Sequence, residues 1–281
     1  MSTISETAQK LVEIIRELDA VAVAFSGGVD SAVVARAAKE ALGDRAIAVT
    51  AVSPSLASAE LEDARRTAAA IGIRHAEIPT SEFQRSEYRA NAGDRCYFCK
   101  DTLYTLTESM LSELGVTCMV NGANTDDRGD HRPGMQAALE HCVRSPLIDA
   151  GLDKATVRRL AHHWQLEVAD KPASPCLSSR VAYGVEVTEE RVRRVEQAEA
   201  FLRQLLNVAE LRVRLEFGEL ARIELPLSRI AEAASAETAV QICDRLRSLG
   251  FRQITLDLQG FRTGNLNDHL SLVQLRSDVA R

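Results

Sequence analysis

The segment Ser26-Gly27-Gly28-Val29-Asp30-Ser31 carries the residue types best suited to binding a phosphate. An apolar run precedes it and a helical pattern follows, so the two glycines can turn the backbone tightly where a helix begins. Free N–H groups and the positive helix end would then form an anion cradle, to which the two serine hydroxyls add donors. Because the Asp30 carboxylate would repel a bare anion, we expect Mg²⁺ to bridge it and the phosphate. An ordinary glycine-rich turn is the alternative, but the whole hexapeptide favours ligand binding.

Three cysteines in polar, loop-like segments form the second candidate site. Cys96 and Cys99 make a Cys-x-x-Cys pair, Cys176 follows a Ser-Pro step, and basic neighbours would favour the thiolate forms. Thiolates at this spacing can share one metal centre. A structural zinc site takes four protein ligands and no fourth is evident, whereas three thiolates on a cubane iron–sulfur cluster would leave one iron open to sulfide. A redox-active pair with a third thiol, or no joint site at all, are the alternatives.

The other cysteines are Cys118, Cys142 and Cys243, and they lie in apolar segments. A cysteine in such surroundings behaves as a small hydrophobic residue. We therefore expect these three to be buried and inert.

Composition and charge narrow the class of partner. The 281 residues include 34 Lys and Arg against 40 Asp and Glu, and a net charge of −6 disfavours a protein that mainly binds a nucleic-acid backbone. No apolar run approaches the ~20 residues needed to span a bilayer, and the N-terminus has the pattern of an amphipathic helix rather than a signal peptide. We therefore expect a cytoplasmic protein with a small-molecule substrate, no nucleic acid and no membrane among its partners.

Strands and helices alternate along the first part of the chain. Predicted strands cover 20–25, 46–52, 75–78 and 117–121, and predicted helices cover 1–19, 31–42, 58–71 and 102–114, with Ser58 as an N-cap. This alternation is typical of an α/β fold whose parallel sheet has helices on both faces. Beyond it, helices over 188–206 and 228–249 and strands over 211–217, 221–225 and 253–258 predict a small C-terminal α+β domain. The predicted domains are 1–184 and 185–281.

The hexapeptide that begins at Ser26 resembles the pyrophosphate loop, or PP-loop, of the N-type ATP pyrophosphatases. This superfamily includes GMP synthetase, NAD synthetase, asparagine synthetase and several tRNA thiolation enzymes. Its members cleave ATP between the α and β phosphates and adenylylate an oxygen, and a nucleophile then displaces AMP. The resemblance implies ATP chemistry on an adenine nucleotide alpha hydrolase-like fold and leaves the acceptor open.

Further segments extend the resemblance over essentially the whole chain. They are Asn121–Asp127, Asp130–Gly134, Arg180–Gly184, Arg212–Arg214, Ala221–Pro226 and Leu256–Arg262. Together they closely resemble the LarE family, the ATP-dependent sulfur transferases of nickel-pincer nucleotide biosynthesis. The resemblance implies that the chain adenylylates the carboxylates of pyridinium-3,5-biscarboxylic acid mononucleotide and converts them to thiocarboxylates. It also implies a homo-oligomer, a hexamer.

The resemblance to LarE assigns roles to single residues. The PP-loop, with Asp30 as a catalytic residue, would hold the ATP phosphates and Mg²⁺. Arg212 and Arg214 alternate along a predicted strand, a spacing suited to clamping the substrate phosphate through charge-assisted hydrogen bonds. Glu199 and Glu224 match acidic positions near the metal and sulfur site of the family, and the alternative is that both are ordinary salt-bridge partners.

Two branches of the LarE family differ in their sulfur source. One branch gives up the sulfur of its own cysteine, at or beside the position of Cys176, and lacks the Cys-x-x-Cys pair. The other holds a [4Fe-4S] cluster on three cysteines that resemble Cys96, Cys99 and Cys176. This chain resembles the second branch, so we expect the cluster to carry the sulfide and these cysteines to be catalytic. The sequence does not identify the upstream sulfur donor.

Three rival functions share parts of this pattern. A PP-loop tRNA thiolation enzyme would have an RNA-binding domain and a basic surface. An amidotransferase-like ligase would need an ammonia source and would leave the polar cysteines without a role. A non-enzymatic ATP sensor would have a degenerate loop, whereas the loop at 26–31 is intact.

Overall fold

The computed structural model of the chain describes residues 3–129 and 133–262. Within these ranges the chain folds into two compact units. The segment Asp130–Gly134, one of those that carry the resemblance, lies mostly outside the described residues.

The first unit consists of the chain up to residue 82 together with Asp94–Ser174, and the second consists of Phe83–Gly93 and the chain from residue 175 onward. The predicted boundary near residue 184 therefore falls inside the second unit. That unit also includes a segment from the first half of the chain. Hydrogen bonds from the Asn91 side chain to Val181 and Ala182 explain why this segment belongs there.

Strands and helices follow one another along the described chain. The strands are β1 (Val21–Ala24), β2 (Ala46–Val52), β3 (Arg74–Pro79), β4 (Cys118–Val120), β5 (Arg212–Glu216), β6 (Leu220–Glu224) and β7 (Gln253–Leu256). The helices are α1 (Ile4–Arg16), α2 (Val29–Leu42), α3 (Ser58–Ile71), α4 (Ser86–Ala90), α5 (Arg95–Ser109), α6 (Leu111–Leu114), α7 (Pro133–Glu140), α8 (Pro146–Asp149), α9 (Lys154–His163), α10 (Glu189–Leu206), α11 (Leu227–Ala233) and α12 (Ala236–Ser248). None of the helices in the described ranges has the length and apolar character needed to cross a membrane.

The first unit is built on a four-stranded sheet in the order β3-β2-β1-β4, and every pair of neighbours is parallel. This confirms the predicted parallel sheet. From β1 the chain passes to β2 and β3 on one side, whereas β4 lies on the other side of β1. The loops that follow β1 and β4 therefore leave adjacent carboxyl ends at a topological switch point, where open α/β sheets bind their ligands.

Apolar side chains cover both faces of this sheet. Along β1, Val21 and Val23 belong to one buried cluster and Ala22 belongs to another, because successive strand residues point to opposite faces. The first cluster includes buried residues of α1, α2, α3 and α9, and the second includes those of α5 and α7. The prediction of helices on both faces is confirmed.

The second unit contains a three-stranded sheet in the order β5-β6-β7, in which β5 and β6 are antiparallel and β6 and β7 are parallel. A small α+β unit is therefore present, as predicted. The single helix predicted over 228–249 is instead two helices, α11 and α12. The reason is local, because the Ser235 hydroxyl accepts a hydrogen bond from the Thr238 N–H and so caps a new helix.

Two helix starts in the first unit differ from the prediction. The helix α5 begins at Arg95 rather than at residue 102, so the Cys-x-x-Cys pair lies on a helix and not in a loop. Its first turn has neither an apolar stripe nor a side-chain cap from Asp94, the two signals from which a helix start is predicted. Ser58 is the first residue of α3, and Ala57 takes the N-cap position without a capping side chain.

Candidate functional site

The loop between β1 and α2 lies at the carboxyl edge of the parallel sheet. Gly28 is the N-cap of α2 and has extended backbone angles, with no side chain capping the helix. The N–H groups of the first helical turn therefore have no side-chain acceptor, which is the arrangement that binds anions. Ser31 Oγ donates to Gly28 O at 3.0 Å and accepts from Ser26 N at 3.3 Å, so the loop is closed by its own serines.

Two glycines bring neighbouring backbones against this loop. Gly27 has a φ of +70°, and a Cβ there would lie 2.9 Å from Ala64 Cα in α3. Gly122, in the loop after β4, would place a Cβ 2.9 Å from Ser31 N. Because neither contact leaves space for a methyl group, only glycine fits these positions. The close packing holds the loop at 26–31 between α3 and the loop after β4.

Asp30 is half-buried within this arrangement. Burial raises the pKa of its carboxyl above the usual range, while a hydrogen bond from Asn124 Nδ2 to Asp30 Oδ1 at 3.3 Å partly offsets this. Asp127 adds a second negative charge nearby, and its Oδ2 accepts from Asn124 N at 3.1 Å. A divalent cation would stabilise the charged form of a half-buried carboxylate that lies near a second one. The chemistry of Asp30 and Asp127 therefore suits Mg²⁺.

Sequence reasoning missed Asn124 and Asp127 as site residues. The sequence indicated the segment Asn121–Asp127 only as one of those that resemble the family, although it follows β4 directly. The signal was available, since polar residues after a strand that neighbours β1 in a parallel sheet meet the loop after β1. What the sequence lacked was the strand order.

The Cys-x-x-Cys pair lies in the opening turns of α5, in the first unit. Cys96 is exposed and Cys99 is half-buried. Residues three apart on a helix share a face, so the two thiols belong to the same side of α5. A Cβ on Gly134 would lie 3.5 Å from Cys96 O, which brings the start of α7 close to the first cysteine.

Cys176 belongs to the second unit and is exposed. It precedes a 3₁₀ turn over Leu177–Arg180, whose residues Leu177, Ser178 and Arg180 are buried. The Cys176 carbonyl oxygen accepts from Ser179 N at 2.9 Å and from Arg180 Nη1 at 3.0 Å. An exposed cysteine is thus attached to a turn that is fixed on its carboxyl side.

The two arginines of β5 have different partners. Arg214 is 8% exposed and makes a bidentate pair with Glu224, with nitrogen–oxygen distances of 3.1 and 3.0 Å. Arg212 instead donates to the carbonyl of Leu211 and lies over the Phe261 ring, and the described residues give it no carboxylate partner. Burial, reinforced by the nearby positive charge of Arg180, lowers the pKa of Arg212 to about 10. Arg212 is therefore a charged, partly desolvated donor that an anion would neutralise.

Glu199 and Glu224 are both buried and both bound by arginines. Glu199 accepts from Arg180 Nε at 3.0 Å and from Arg203 Nη2 at 2.7 Å. Glu224 accepts from Arg214 and also from Arg222 Nη1 at 2.7 Å. These contacts match the salt-bridge alternative from the sequence, and the metal role of the two glutamates stays a prediction.

The remaining cysteines differ from the expectation of three buried thiols. Cys142 is exposed and has a φ of 52°, because it follows the end of α7. Cys118 and Cys243 are half-buried, and burial raises the pKa of the Cys118 thiol. The expectation is therefore wrong for Cys142.

A shared metal centre is not evident from the arrangement of side chains. Across residues 3–129 and 133–262, no group of three or more His, Cys, Asp or Glu side chains is placed to hold a metal ion. Cys96 and Cys99 lie in the first unit and Cys176 in the second. The [4Fe-4S] cluster stays a prediction.

Comparisons with known proteins agree with the architecture of the site. Residues 13–94 match the family described as asparagine synthase, a range that includes the loop at 26–31. An uncharacterized protein of Synechocystis sp. is 44% identical over 259 residues, 92% of this chain and 96% of its own, and an uncharacterized protein of Methanocaldococcus jannaschii is 25% identical over 243 residues, 86% and 90% of the two chains. The pyridinium-3,5-bisthiocarboxylic acid mononucleotide synthase of Lactiplantibacillus plantarum is 35% identical over 276 residues, 98% of this chain and 99% of its own. Because this synthase matches across nearly the whole of both chains, the chain belongs to the LarE family of ATP-dependent sulfur transferases.

Proposed function

We propose that the chain adenylylates the carboxylates of pyridinium-3,5-biscarboxylic acid mononucleotide and converts them to thiocarboxylates. The observation that carries this proposal is the uncapped start of α2 behind the Ser26–Ser31 loop, in a chain matched end to end by a relative named for the bisthiocarboxylic product. A free carboxylate resists nucleophiles, and adenylylation turns one of its oxygens into part of a leaving group.

The first half-reaction would take place on the loop at 26–31. The N–H groups of Gly28 and of the first turn of α2 would bind the phosphates, and Asp30, with Asp127 nearby, would hold Mg²⁺. The substrate carboxylate then attacks the α-phosphorus, a P–O bond forms, and pyrophosphate leaves. The positive helix end and the cation offset the charge that builds up on the phosphates.

Substrate binding would use the arginines of β5. Arg212 supports this role best, because its guanidinium has no carboxylate partner among the described residues and is partly removed from water. Arg214 is bound to Glu224, so it would contribute to the local positive charge more than to direct contact. The substrate's mononucleotide phosphate is the anion that we assign to Arg212.

Sulfur would enter through the three candidate cysteines. The side chains of Cys96, Cys99 and Cys176 are exposed or half-buried, and three thiolates without a fourth protein ligand fit a [4Fe-4S] cluster with one open iron. When bound, such a cluster would supply sulfide. A sulfur nucleophile attacks the activated carbonyl carbon, the carbon–sulfur bond forms, and AMP leaves with the oxygen. Two rounds give the bisthiocarboxylate.

The first experiment is to purify the protein anaerobically and measure iron and acid-labile sulfide, with Cys176→Ala as the comparison. We expect about four irons per chain in the wild type and a marked loss in the variant. Cys142→Ala is a matched control, because Cys142 is also exposed but lies outside the proposed cysteine set. It should keep the iron.

An iron-free protein that still releases pyrophosphate with the substrate would overturn the cluster. The sulfur would then come from Cys176 itself, and mass spectrometry after one turnover would find the chain lighter by one H₂S. A protein that releases no pyrophosphate with this substrate would overturn the proposed reaction. A shift of tRNA mobility at low salt would instead favour the tRNA thiolation alternative.

A further inference from the structure

The turn that carries Cys176 is held by two buried ion pairs within the second unit. Arg180 and Glu199 are 3% and 1% exposed, and Arg214 and Glu224 are 8% and 0% exposed. In each pair the arginine uses other guanidinium nitrogens to bind its glutamate and keeps Nη1 for a different partner. The Nη1 atom of each arginine donates to a backbone carbonyl of the turn.

Arg180 holds the start of the turn. Its Nε donates to Glu199, and its Nη1 donates to the carbonyl oxygens of Pro175 and Cys176, the latter at 3.0 Å. Arg214 holds the next step, since its Nη1 donates to Ser179 O at 3.1 Å. The carbonyls on both sides of the exposed thiol-bearing residue are therefore fixed by buried guanidinium groups.

We propose that Glu199 and Glu224 are positioning residues for Cys176, and that they act through Arg180 and Arg214. Their part in sulfur transfer rests on the proposed function, whereas their hold on the turn does not. A buried guanidinium keeps a single orientation only where a buried carboxylate pairs with it. Without Glu199 or Glu224, the arginine would have no fixed direction from which to bind the carbonyls.

Glu199 also connects the turn to β5. Its Oε1 accepts from Val213 N at 3.2 Å, and Val213 lies between Arg212 and Arg214. One carboxylate thereby holds both the guanidinium above Cys176 and the strand that presents Arg212. This shared support would keep a fixed relation between the thiol and the arginine that we assign to the substrate phosphate.

Hydrogen–deuterium exchange on the full chain tests the positioning directly. The reporters are the amides of Ser179 and Val181, which donate to the Cys176 and Ser178 carbonyls. In Glu199→Gln and Glu224→Gln we expect these amides to exchange about tenfold faster or more, while the amides of β5 and β6 other than Val213, which itself donates to Glu199, keep their protection. Glu232→Gln removes a charge from an exposed pair in the same unit, with Arg229, and should change nothing.

Two outcomes would overturn the positioning role. One is unchanged exchange at Ser179 and Val181, and the other is equal acceleration throughout β5 and β6, which indicates general unfolding. Ser179→Ala is a milder variant that leaves both ion pairs in place. It removes the 2.6 Å bond from Ser179 Oγ to Cys176 O and the 3.2 Å bond that Ser179 Oγ accepts from Arg180 Nη1, and it should accelerate the same amides. It keeps the test informative if a glutamate variant does not fold.

Activity measurements separate this inference from the proposed function. Substrate-dependent pyrophosphate release depends on the loop at 26–31 and should be retained in Ser179→Ala, whereas thiocarboxylate formation should fall about threefold or more. Faster exchange with undiminished thiocarboxylate formation would overturn the role in sulfur transfer. A wild-type protein inactive with this substrate would overturn the proposed function and leave the exchange result intact.

Discussion

At the scale of single residues, Arg212 and Arg214 lie two positions apart on β5 but have different surroundings. Arg214 is neutralised by a fully buried carboxylate, whereas Arg212 is packed on an aromatic ring and has no carboxylate partner among the described residues. The same type of side chain is therefore part of an ion pair at one position and packed on a ring at the other. Residue type alone could not separate these roles, because the difference lies in Glu224 on the neighbouring strand.

Substitution of the two arginines should separate binding from stability. Inorganic phosphate should raise the melting temperature of the wild type by more than that of Arg212→Gln, which keeps only the loop at 26–31 as an anion site, since a charge-assisted hydrogen bond contributes about 1.5–3 kcal/mol. Arg214→Gln should lower the free energy of unfolding by about 3–5 kcal/mol, because it leaves Glu224 buried without its bidentate partner. Thermal and urea denaturation measure both effects. A full phosphate-induced shift in Arg212→Gln would refute its assignment.

Phosphate binding by Arg212 should also depend on pH in a known direction. Its folded pKa is lowered to about 10, so the guanidinium is charged at neutral pH and loses its proton as pH rises through that value. We expect the part of the phosphate-induced stabilisation that Arg212 contributes to disappear as the pH rises above about 10. Stabilisation that persists unchanged well above this pH would mean that another group binds the anion.

Gly27, in the loop at 26–31, and Gly72, at the end of α3, form a matched pair of glycines. Gly27→Ala should lower the free energy of unfolding by about 1–2 kcal/mol because alanine disfavours left-handed backbone angles, and by about 1–3 kcal/mol more because its Cβ clashes with Ala64. It should also abolish ATP binding. Gly72→Ala has a similar φ of +74° with no atom within 4 Å, so it should show only the first cost and keep ATP binding. Urea denaturation and nucleotide titration distinguish the two. Equal effects from both variants would mean that packing against α3 is unimportant.

At the scale of elements, the helix α5 shows how packing replaces a missing sequence signal. It carries the Cys-x-x-Cys pair on a polar first turn, and later residues such as Leu103 and Tyr104 bury its other side against the sheet. The end of α7 is tied to it through His141. His141 Nε2 and Asp101 Oδ1 are 2.9 Å apart, and His141 Nδ1 and Glu108 Oε2 are 3.0 Å apart, with the Tyr104 ring beside the imidazole.

This contact between α5 and α7 should weaken as pH rises. Burial disfavours the charged imidazole, but the hydrogen bonds to Asp101 and Glu108 outweigh it and raise the pKa of His141. Because the pKa of His141 is higher in the folded state, its contribution to the free energy of unfolding is fully present below the ordinary histidine pKa of about 6.5. This contribution is lost as the pH rises through the folded pKa. His141→Gln should be less stable than wild type by about 1–3 kcal/mol at acidic pH, and the difference should shrink at alkaline pH. Urea denaturation of both proteins at acidic and at alkaline pH measures this difference in the free energy of unfolding. A difference that does not change with pH would contradict the raised pKa of His141.

At the scale of the whole molecule, the second unit is assembled from two distant parts of the chain. Asn91, fully buried, donates from Nδ2 to the carbonyl oxygens of Ala182 at 2.8 Å and Val185 at 3.1 Å. Tyr88 Oη and Ser178 Oγ are 2.8 Å apart. The short segment Phe83–Gly93 is thereby joined to the turn that follows Cys176, and it folds with the second unit for that reason.

Loss of the Asn91 side chain should loosen that assembly. Asn91→Ala should lower the free energy of unfolding in two ways. It removes a donor to buried carbonyls, which costs about 1–3 kcal/mol, and it places alanine at a φ of 53°, which costs about 1–2 kcal/mol. Asn207→Ala, at the exposed end of α10 with a φ of 47°, should show only the backbone cost. Limited proteolysis should cleave within 83–93 in the first variant alone. Equal resistance in the two variants would show that the Asn91 hydrogen bonds do not hold the segment.

The sequence by itself determined the parallel α/β architecture, the glycine turn at 26–31 between a strand and a helix, and the membership of the family. These follow from local order, since alternating apolar runs form strands and helices wherever they occur, and glycines beside a helix start permit an anion to approach. Strand β2 was predicted with its observed bounds, Ala46–Val52, because each of its residues is apolar or β-branched. The helix start at Arg95 was not predicted, because its first turn has neither an apolar stripe nor a capping side chain.

Only the tertiary structure decided which side chains face one another. Strand order brings Asn124 to Asp30, and β5 pairing brings Glu224 to Arg214 across ten positions of sequence. Burial then fixes their chemistry, since a charge removed from water must find a partner or change its pKa. Arg212 and Arg214 look equivalent in the chain and differ in the fold, because of the two only Arg214 has a carboxylate partner within the part of the chain that the structure describes.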